Sequence, residues 1–276
     1  MMQKVAFQGE KGAFSEKAAL EYFGTNIELQ SCRTFKEVFE CVETGQCSAG
    51  IIPIENSLTG SVHQNYDLLL QHELLITGEI YLKIVHCLMA LPGVSMNKIE
   101  KVYSHPQALE QCQEFLSSWS GIEIVPTYDT AGSAKILVEQ NLTDGAAIAS
   151  EQAARDYGLC ILKKGIESNH ENYTRFLVLG KENQIPEKDG KTSIVFSFKD
   201  IPGALFKSLS VFALRDINLL KIESRPLHGS PWKYFFYLDF EGSMREEASR
   251  NAVNHLKEIT TFLKILGSYP RGREVE

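Results

Sequence analysis

Two hundred and seventy-six residues exceed what one hydrophobic core usually serves, at roughly 100 to 200 residues per domain, so the chain is expected to divide in two. With 43% hydrophobic and 23% charged residues it is neither collagen-like, low-complexity nor disordered. A formal charge of -7 and a pI near 5.6 would repel a phosphate backbone or an anionic bilayer, so no nucleic acid and no membrane partner is expected.

The first apolar segment, Val5-Ala6-Phe7, runs at once into Gln8-Gly9-Glu10-Lys11, which is too short for a cleavable signal. The longest apolar run, Ile84 to Leu91, contains His86 and falls far short of the roughly 18 residues a membrane span needs. A cytoplasmic location is therefore expected. Cys32, Cys41, Cys47, Cys87, Cys112 and Cys160 show neither a CxxC pair nor zinc spacing and read as reduced, buried hydrophobes. Sequons at Asn141 and Asn172 then read as chance matches.

In chain order, a strand over Lys4 to Gln8 leads to a helix ending at Phe23 before Gly24. A strand from Ile27 to Ser31 precedes a helix whose Phe35, Val38, Phe39 and Val42 form one stripe before Gly45. Strands over Ser48 to Ile54, Lys101 to Ser104, Ile122 to Pro126 and Ala146 to Ala149 continue the alternation, with a helix opened by Pro106. This grammar predicts mainly parallel sheet covered by helices. Leu74 to Leu91 is nearly all extended and is read as the crossing into a second lobe, about 79–160, with a return near Leu159 to Phe176. Two lobes leave a cleft, the usual seat of a small ligand.

The charged stretch Lys181 to Thr192, with Pro186 and Gly190, reads as a linker. Beyond it come a strand from Ser193 to Phe198 and a helix after Pro202 carrying Leu205, Leu209 and Phe212. A strand from Ile217 to Ile222 follows, then a turn through His228-Gly229-Ser230-Pro231 and a strand from Tyr234 to Phe240. A helix from about Met244 to Ile259 and a strand around Phe262 to Leu266 close the pattern. The βαββαβ order is the ferredoxin-like α+β arrangement.

Four motifs sit where strands meet helices. Gly9 to Ser15 opens the first helix and aims backbone N–H groups at an anion, but it lacks GxGxxG and GK[ST]; a tight turn that needs glycine explains it equally. Pro53 to Ser61 carries the neutral donors Asn56, Ser57, Thr59 and Ser61 with one charge, Glu55, more than a capping loop needs. Ser104, Gln107 and Gln111 form a polar stripe near a helix N-terminus, where His105 reads as a turn residue before proline. Asp129 or Thr130 reads as a cap. In Asn172-Tyr173-Thr174-Arg175-Phe176, Arg175 can hold a carboxylate bidentately and Thr174 can donate a hydroxyl hydrogen bond.

GxxGAFS at 9–15, PIENS at 53–57, SHPQAL at 104–109, YGL at 157–159 and NYTRF at 172–176 together resemble the prephenate dehydratase family. PGAL at 202–205 and ESRP at 223–226 are similar to the phenylalanine-binding elements of an ACT regulatory domain. The likeness covers essentially the whole chain with the motifs in order. It implies a two-lobed α/β catalytic domain, periplasmic-binding-protein-like, over 1–180, a linker over 181–192, and a ferredoxin-like ACT domain over 193–276. The implied reaction is prephenate to phenylpyruvate with loss of water and carbon dioxide, in phenylalanine biosynthesis, with no organic cofactor and no metal. Because the first strand starts at Lys4, the chorismate mutase segment of some relatives is not expected.

By family position Thr174 is the catalytic residue. Arg175, Asn56, Ser57, Ser104, Gln107 and Gln111 are implied to bind substrate, with helix N-termini making up for scarce positive charge. Gly203, Ala204, Leu205, Asn218, Glu223, Ser224, Arg225 and Pro226 are implied to bind L-phenylalanine as allosteric inhibitor, in a homodimer or homotetramer. Three rivals stand beside this reading. One is an arogenate dehydratase of the same mechanism, another a non-enzymatic amino-acid-sensing binding protein, and the third a structural or scaffold role, which the density of polar loop motifs at strand ends disfavours.

Overall fold

Residues 2–182, 185–227 and 232–275 are described by the computed structural model of the chain, whose contacts divide it into two units. Unit one holds the chain up to Val62, Ile80–Phe176 and the last residues from Glu274; unit two holds His63–Glu79 and Leu177–Arg273.

Unit one starts with β1 (Gln3–Gln8), α1 (Phe14–Phe23), β2 (Ile27–Cys32), α2 (Phe35–Glu43), β3 (Ala49–Asn56) and the short β4 (Gly60–Ser61). β1 pairs in parallel with β2 through Val5↔Leu29 and with β3 through Val5↔Ala49. Thr34 caps α2 by accepting from Glu37 N at 3.2 Å, and the helix buries Val38, Phe39 and Val42. Gly50 permits its close approach to β3, since a Cβ there would lie 2.8 Å from Val38 Cγ1. After α3 (His63–Gln71), β5 (Leu75–Lys83) leads into β6 (Cys87–Ala90), a 3-10 turn at Met96–Lys98, β7 (Lys101–Ser104), α4 (Pro106–Gln111), α5 (Gln113–Ser117) and β8 (Glu123–Pro126). α6 (Thr130–Glu139), β9 (Gly145–Ala149), α7 (Glu151–Tyr157), β10 (Cys160–Lys164) and β11 (Tyr173–Gly180) follow.

Strand order in the first sheet is β16-β5-β11-β3-β1-β2, β4 being paired to β3 and β16 (Glu274–Val275) to β5 in parallel. The second sheet runs β10-β6-β9-β7-β8, with β7 parallel to β8 and β9, and β6 antiparallel to β9 and β10. Leu88, Val102, Leu109, Leu116 and Ile148 form the core of that lobe. The architecture is mixed α/β.

Unit two contains β12 (Gly190–Ser197), α8 (Ala204–Ala213), β13 (Leu219–Pro226), β14 (Tyr234–Glu241), α9 (Glu247–Ile259) and β15 (Phe262–Pro270). Its antiparallel sheet has the order β13-β14-β12-β15. Ile194, Phe196, Leu238 and Phe240 meet Phe212 and Leu256 of the helices. Facing α3, Arg225 donates to Asp67 at 2.9 Å and the Tyr237 hydroxyl donates to the Tyr66 carbonyl at 2.8 Å.

Several boundaries differ from the sequence expectation. Charge in Lys191 argued for linker up to Thr192, yet β12 starts at Gly190. Lys191 is buried there as a strand residue, its ammonium 2.9 Å from the equally buried Glu79 carboxylate. ESRP at 223–226 is the second half of β13, which extends four residues beyond the expected Ile222. Glu274 and Val275, expected with the small domain, pair with β5, and α3 belongs with unit two. The expected turn at His228 to Pro231 lies outside the described residues.

Candidate active site

A cavity of about 370 Å³ in unit one is bounded by strand ends and helix starts. Gln8 ends β1 and Pro53 and Asn56 lie on β3, while Thr174 and Phe176 lie on β11. Phe14 and Ser15 open α1, Gln107, Ala108 and Gln111 belong to α4, and Thr130 opens α6. First-turn N–H groups, short of intrahelical partners, thus collect around one volume.

Asn56 is the hub of the strand-end side. Its amide nitrogen donates to Asn172 Oδ1 at 2.7 Å, Thr174 Oγ1 at 3.0 Å and Tyr173 O at 3.1 Å. Its oxygen accepts from Leu58 N at 3.0 Å and Thr59 N at 3.1 Å. One side chain therefore shapes the PIENS loop and fixes the start of β11. With Asn56 donating to it, the Thr174 oxygen keeps its own O–H as a donor.

Gln107 and Gln111 both face the cavity. Gln107 Nε2 donates to Thr59 Oγ1 at 2.7 Å, joining the second lobe to the PIENS loop, and Gln111 Oε1 lies 2.8 Å from His86 Nε2. His86 was read only as a polar break in an apolar run; it lines the cavity at 2% exposure, with burial holding its imidazole below the usual histidine range. Its placement was unreadable because the sequence gives no sign of which face of the crossing segment meets the cleft. Asp129, read as a cap, does accept from Gly132 N at 2.7 Å, and it also lines the cavity. Burial raises its carboxyl despite that backbone donation. His105 is the N-cap of α4, accepting from Gln107 N at 3.3 Å, and lines the cavity as well.

Three expected substrate contacts are placed elsewhere. Ser57 secures the loop, donating to Glu171 O and accepting from Tyr173 N, both at 2.9 Å. Ser104 is fully buried and donates to Ile148 O at 2.7 Å. Arg175 is buried between Thr174 and Phe176, both of which line the cavity, so strand alternation turns it to the opposite face of the sheet. Among the described lining residues there is no lysine or arginine. In the glycine loop, Gly12 has φ +86 and a Cβ there would come 2.5 Å from Ala153 Cα, so this glycine serves close packing of the loop on α7.

Alternation also divides the ESRP segment. In β13, Ser224 stands opposite Phe236, on the face that packs on the helices. Glu223 and Arg225 face α3 instead, the one 3.8 Å from His63 and the other bonded to Asp67. Gly203 caps α8 at φ +77, with Ala204 as the first helical residue.

The family model for prephenate dehydratase matches residues 5–184. A curated relative from Arabidopsis thaliana, arogenate dehydratase/prephenate dehydratase 2, chloroplastic, is 50% identical over 97% of this chain and 72% of its own length. Two solved structures align with a TM-score of 0.90. One is a prephenate dehydratase in complex with L-Phe from Arthrobacter aurescens, 32% identical over 97% of this chain and 90% of that one. The other, described as GqqA, a novel type of quorum quenching acylase, is 30% identical over 98% of both chains. Matched along nearly two thirds of its length by the family model and half identical to a member over almost all of it, the chain belongs to the prephenate dehydratase family.

Proposed function

We propose that the chain converts prephenate to phenylpyruvate in phenylalanine biosynthesis, with Thr174 as catalytic residue. The observation that carries this reading is the Thr174 hydroxyl, buried at the cavity wall and held as an acceptor by Asn56 so that its hydrogen is left for a ligand. In the reaction the electron pair of the ring–carboxylate bond moves into the ring as the opposite C–O bond breaks. One proton is taken up, water and carbon dioxide leave, and the ring becomes aromatic. Thr174 donates its hydrogen bond to the departing oxygen, a transition-state interaction; its own pKa is far too high for it to be the net acid. A dianionic substrate with no cationic side chain at the described wall needs neutral donors: Ser15, Thr130 and Gln107, with the first turns of α1 and α6. Asn56 positions Thr174, and Gln111 orients His86. Assay of the purified protein with prephenate and with arogenate tests the reading, because a sensing protein would bind without turnover.

A second reading, arogenate as substrate, is favoured by Asp129. A carboxylate at the wall suits the ammonium group that arogenate carries in place of the keto group. The curated relative's name covers both activities. The ratio of kcat/KM for the two substrates, in wild type and Asp129→Asn, separates them.

For unit two we propose an ACT domain that binds L-phenylalanine and inhibits the enzyme. Gly203, Ala204 and Leu205 at the start of α8, with Asn218, Ser224 and Pro226, form the pocket; Glu223 and Arg225 hold its strand against α3. The edge strand β13 and exposed Phe206, Leu220, Ile222 and Trp232 favour pairing of two such domains in a homodimer or dimer of dimers. A reducing, cytoplasmic setting suits Cys32 and Cys41, whose sulfurs lie unlinked 3.9 Å apart.

A further inference from the structure

Unit one holds a second cavity, of about 600 Å³, formed by α1 of the first lobe, the crossing segment, and α7 with β10 of the second. Its charge contrasts with that of the active-site cavity. Lys17, Lys83, Arg155 and Lys164 face two carboxylates, Glu21 and Glu151, an excess of two positive charges in a chain of net charge -7. Glu151 is shared by Lys164 at 2.7 Å and Arg155 at 3.4 Å. Lys83 lies over the Tyr173 ring, 5.9 Å from its centroid. Lys17 is half-buried, and burial, with the nearby Lys164 and Arg155 charges, holds its ammonium below the usual lysine range against the pull of Glu21 and Glu151.

The two cavities share a wall. Along the extended segment 83–86, Lys83 and Val85 line the cationic cavity while Ile84 and His86 line the active-site cavity, the period-two alternation of an extended chain. Phe14 lines both, its ring edge-on to His86 with centroids 5.5 Å apart. A charge change on one side therefore bears on side chains whose neighbours form the other.

We propose that this cavity is an effector site for a compact multivalent anion of the phosphate or polycarboxylate class, and that its occupancy alters substrate binding next door. Lys17 and Lys83 supply point charges, and Arg155 a planar fork suited to two oxygens of such a ligand. An anion here also relieves the crowding of cations that burial enforces at Lys17.

Calorimetry and thermal denaturation with inorganic phosphate, pyrophosphate and citrate, at an ionic strength fixed with chloride, test the proposal on the full chain. At least one probe is expected to bind saturably, and whether the phosphates or citrate do so identifies the class. Affinity should fall at least about tenfold in both Lys17→Met and Lys83→Met, neither of which touches the active-site cavity, and the bound probe should change KM in wild type only. Lys17→Gln serves if the methionine variant does not fold. The site is overturned if no probe binds beyond the chloride control or if the variants bind as wild type does. Binding with an unchanged KM overturns the coupling. Because binding is read without turnover, the test of the site is independent of which substrate the enzyme takes, and only the coupling rests on the proposed activity.

Discussion

Thr174→Val separates the catalytic role proposed for this residue from its place in the fold. Valine keeps nearly the same volume and suits a strand, and Asn56 loses one of three acceptors while Asn172 Oδ1 at 2.7 Å and Tyr173 O at 3.1 Å remain. The stability cost is therefore that of one exchanged hydrogen bond, about 1 kcal/mol. On the proposed mechanism the expected catalytic cost is larger, because a donor to a departing oxygen is worth about 100- to 1,000-fold in kcat by analogy with oxyanion-hole donors. KM should stay within a few-fold, since the interaction strengthens only as the C–O bond breaks. Phenylpyruvate formation followed by absorbance gives kcat and KM, and thermal denaturation gives the stability change. A kcat within tenfold of wild type in a folded variant would refute the argument, as would a KM increase that accounts for the whole loss.

Arg175→Met should leave KM for prephenate unchanged in whatever protein folds, and lower the melting temperature, because the side chain is buried on the sheet face away from the cavity; a raised KM with unchanged stability contradicts that placement. Lys191→Met should cost about 3–5 kcal/mol by leaving the buried Glu79 carboxylate without its ammonium, read as a drop in denaturant midpoint that Glu79→Gln in the same chain partly restores. His86 makes stability pH-dependent: its folded pKa is depressed, so as pH falls through about 6.5 the unfolded chain takes up the proton first and stability declines until the folded pKa is reached. In His86→Phe that part of the slope should vanish, and a slope unchanged in the variant assigns it to other groups. Gly203→Val, at φ +77, should abolish L-phenylalanine binding measured by calorimetry while activity without effector persists; equal binding in variant and wild type removes Gly203 from the pocket.

The alternation of apolar segments with glycine stops was enough to place β1 to β3, β7 to β9 and the strands and helices of unit two, because each is set by local periodicity, with stops such as Gly24; α3, α7 and the division of Leu74 to Leu91 into β5 and β6 carried no such signal. Lys191 misled the boundary of the linker. Its charge reads as solvent in a sequence, and only Glu79, 112 positions away, makes it a core residue. His86 and Asp129 were underread for a related reason: burial and neighbours decide whether such a group is a bland turn residue or a cavity wall, and neither is local.

What the motifs conveyed depends on where they fall in the secondary structure. At strand-to-helix junctions the backbone turns through the cavity edge, so consecutive or one-turn-spaced residues converge: Phe14 and Ser15, Gln107 and Gln111, Asp129 and Thr130 all line it. Inside a strand, adjacency in sequence means opposition in space. Thus Thr174 and Phe176 reach the cavity and Arg175 does not, and Ser224 stands on the helix face of β13 while Glu223 and Arg225 meet α3. Membership of a short polar motif does not make its residues point one way: it fails inside the strands and also at Ser57 in the PIENS loop, which turns to Glu171 and Tyr173. The same alternation, applied to residues 83–86, places His86 against the cavity that Thr174 lines and Lys83 in the cationic one. Two cavities of different charge are thereby lined by neighbouring residues of one extended segment.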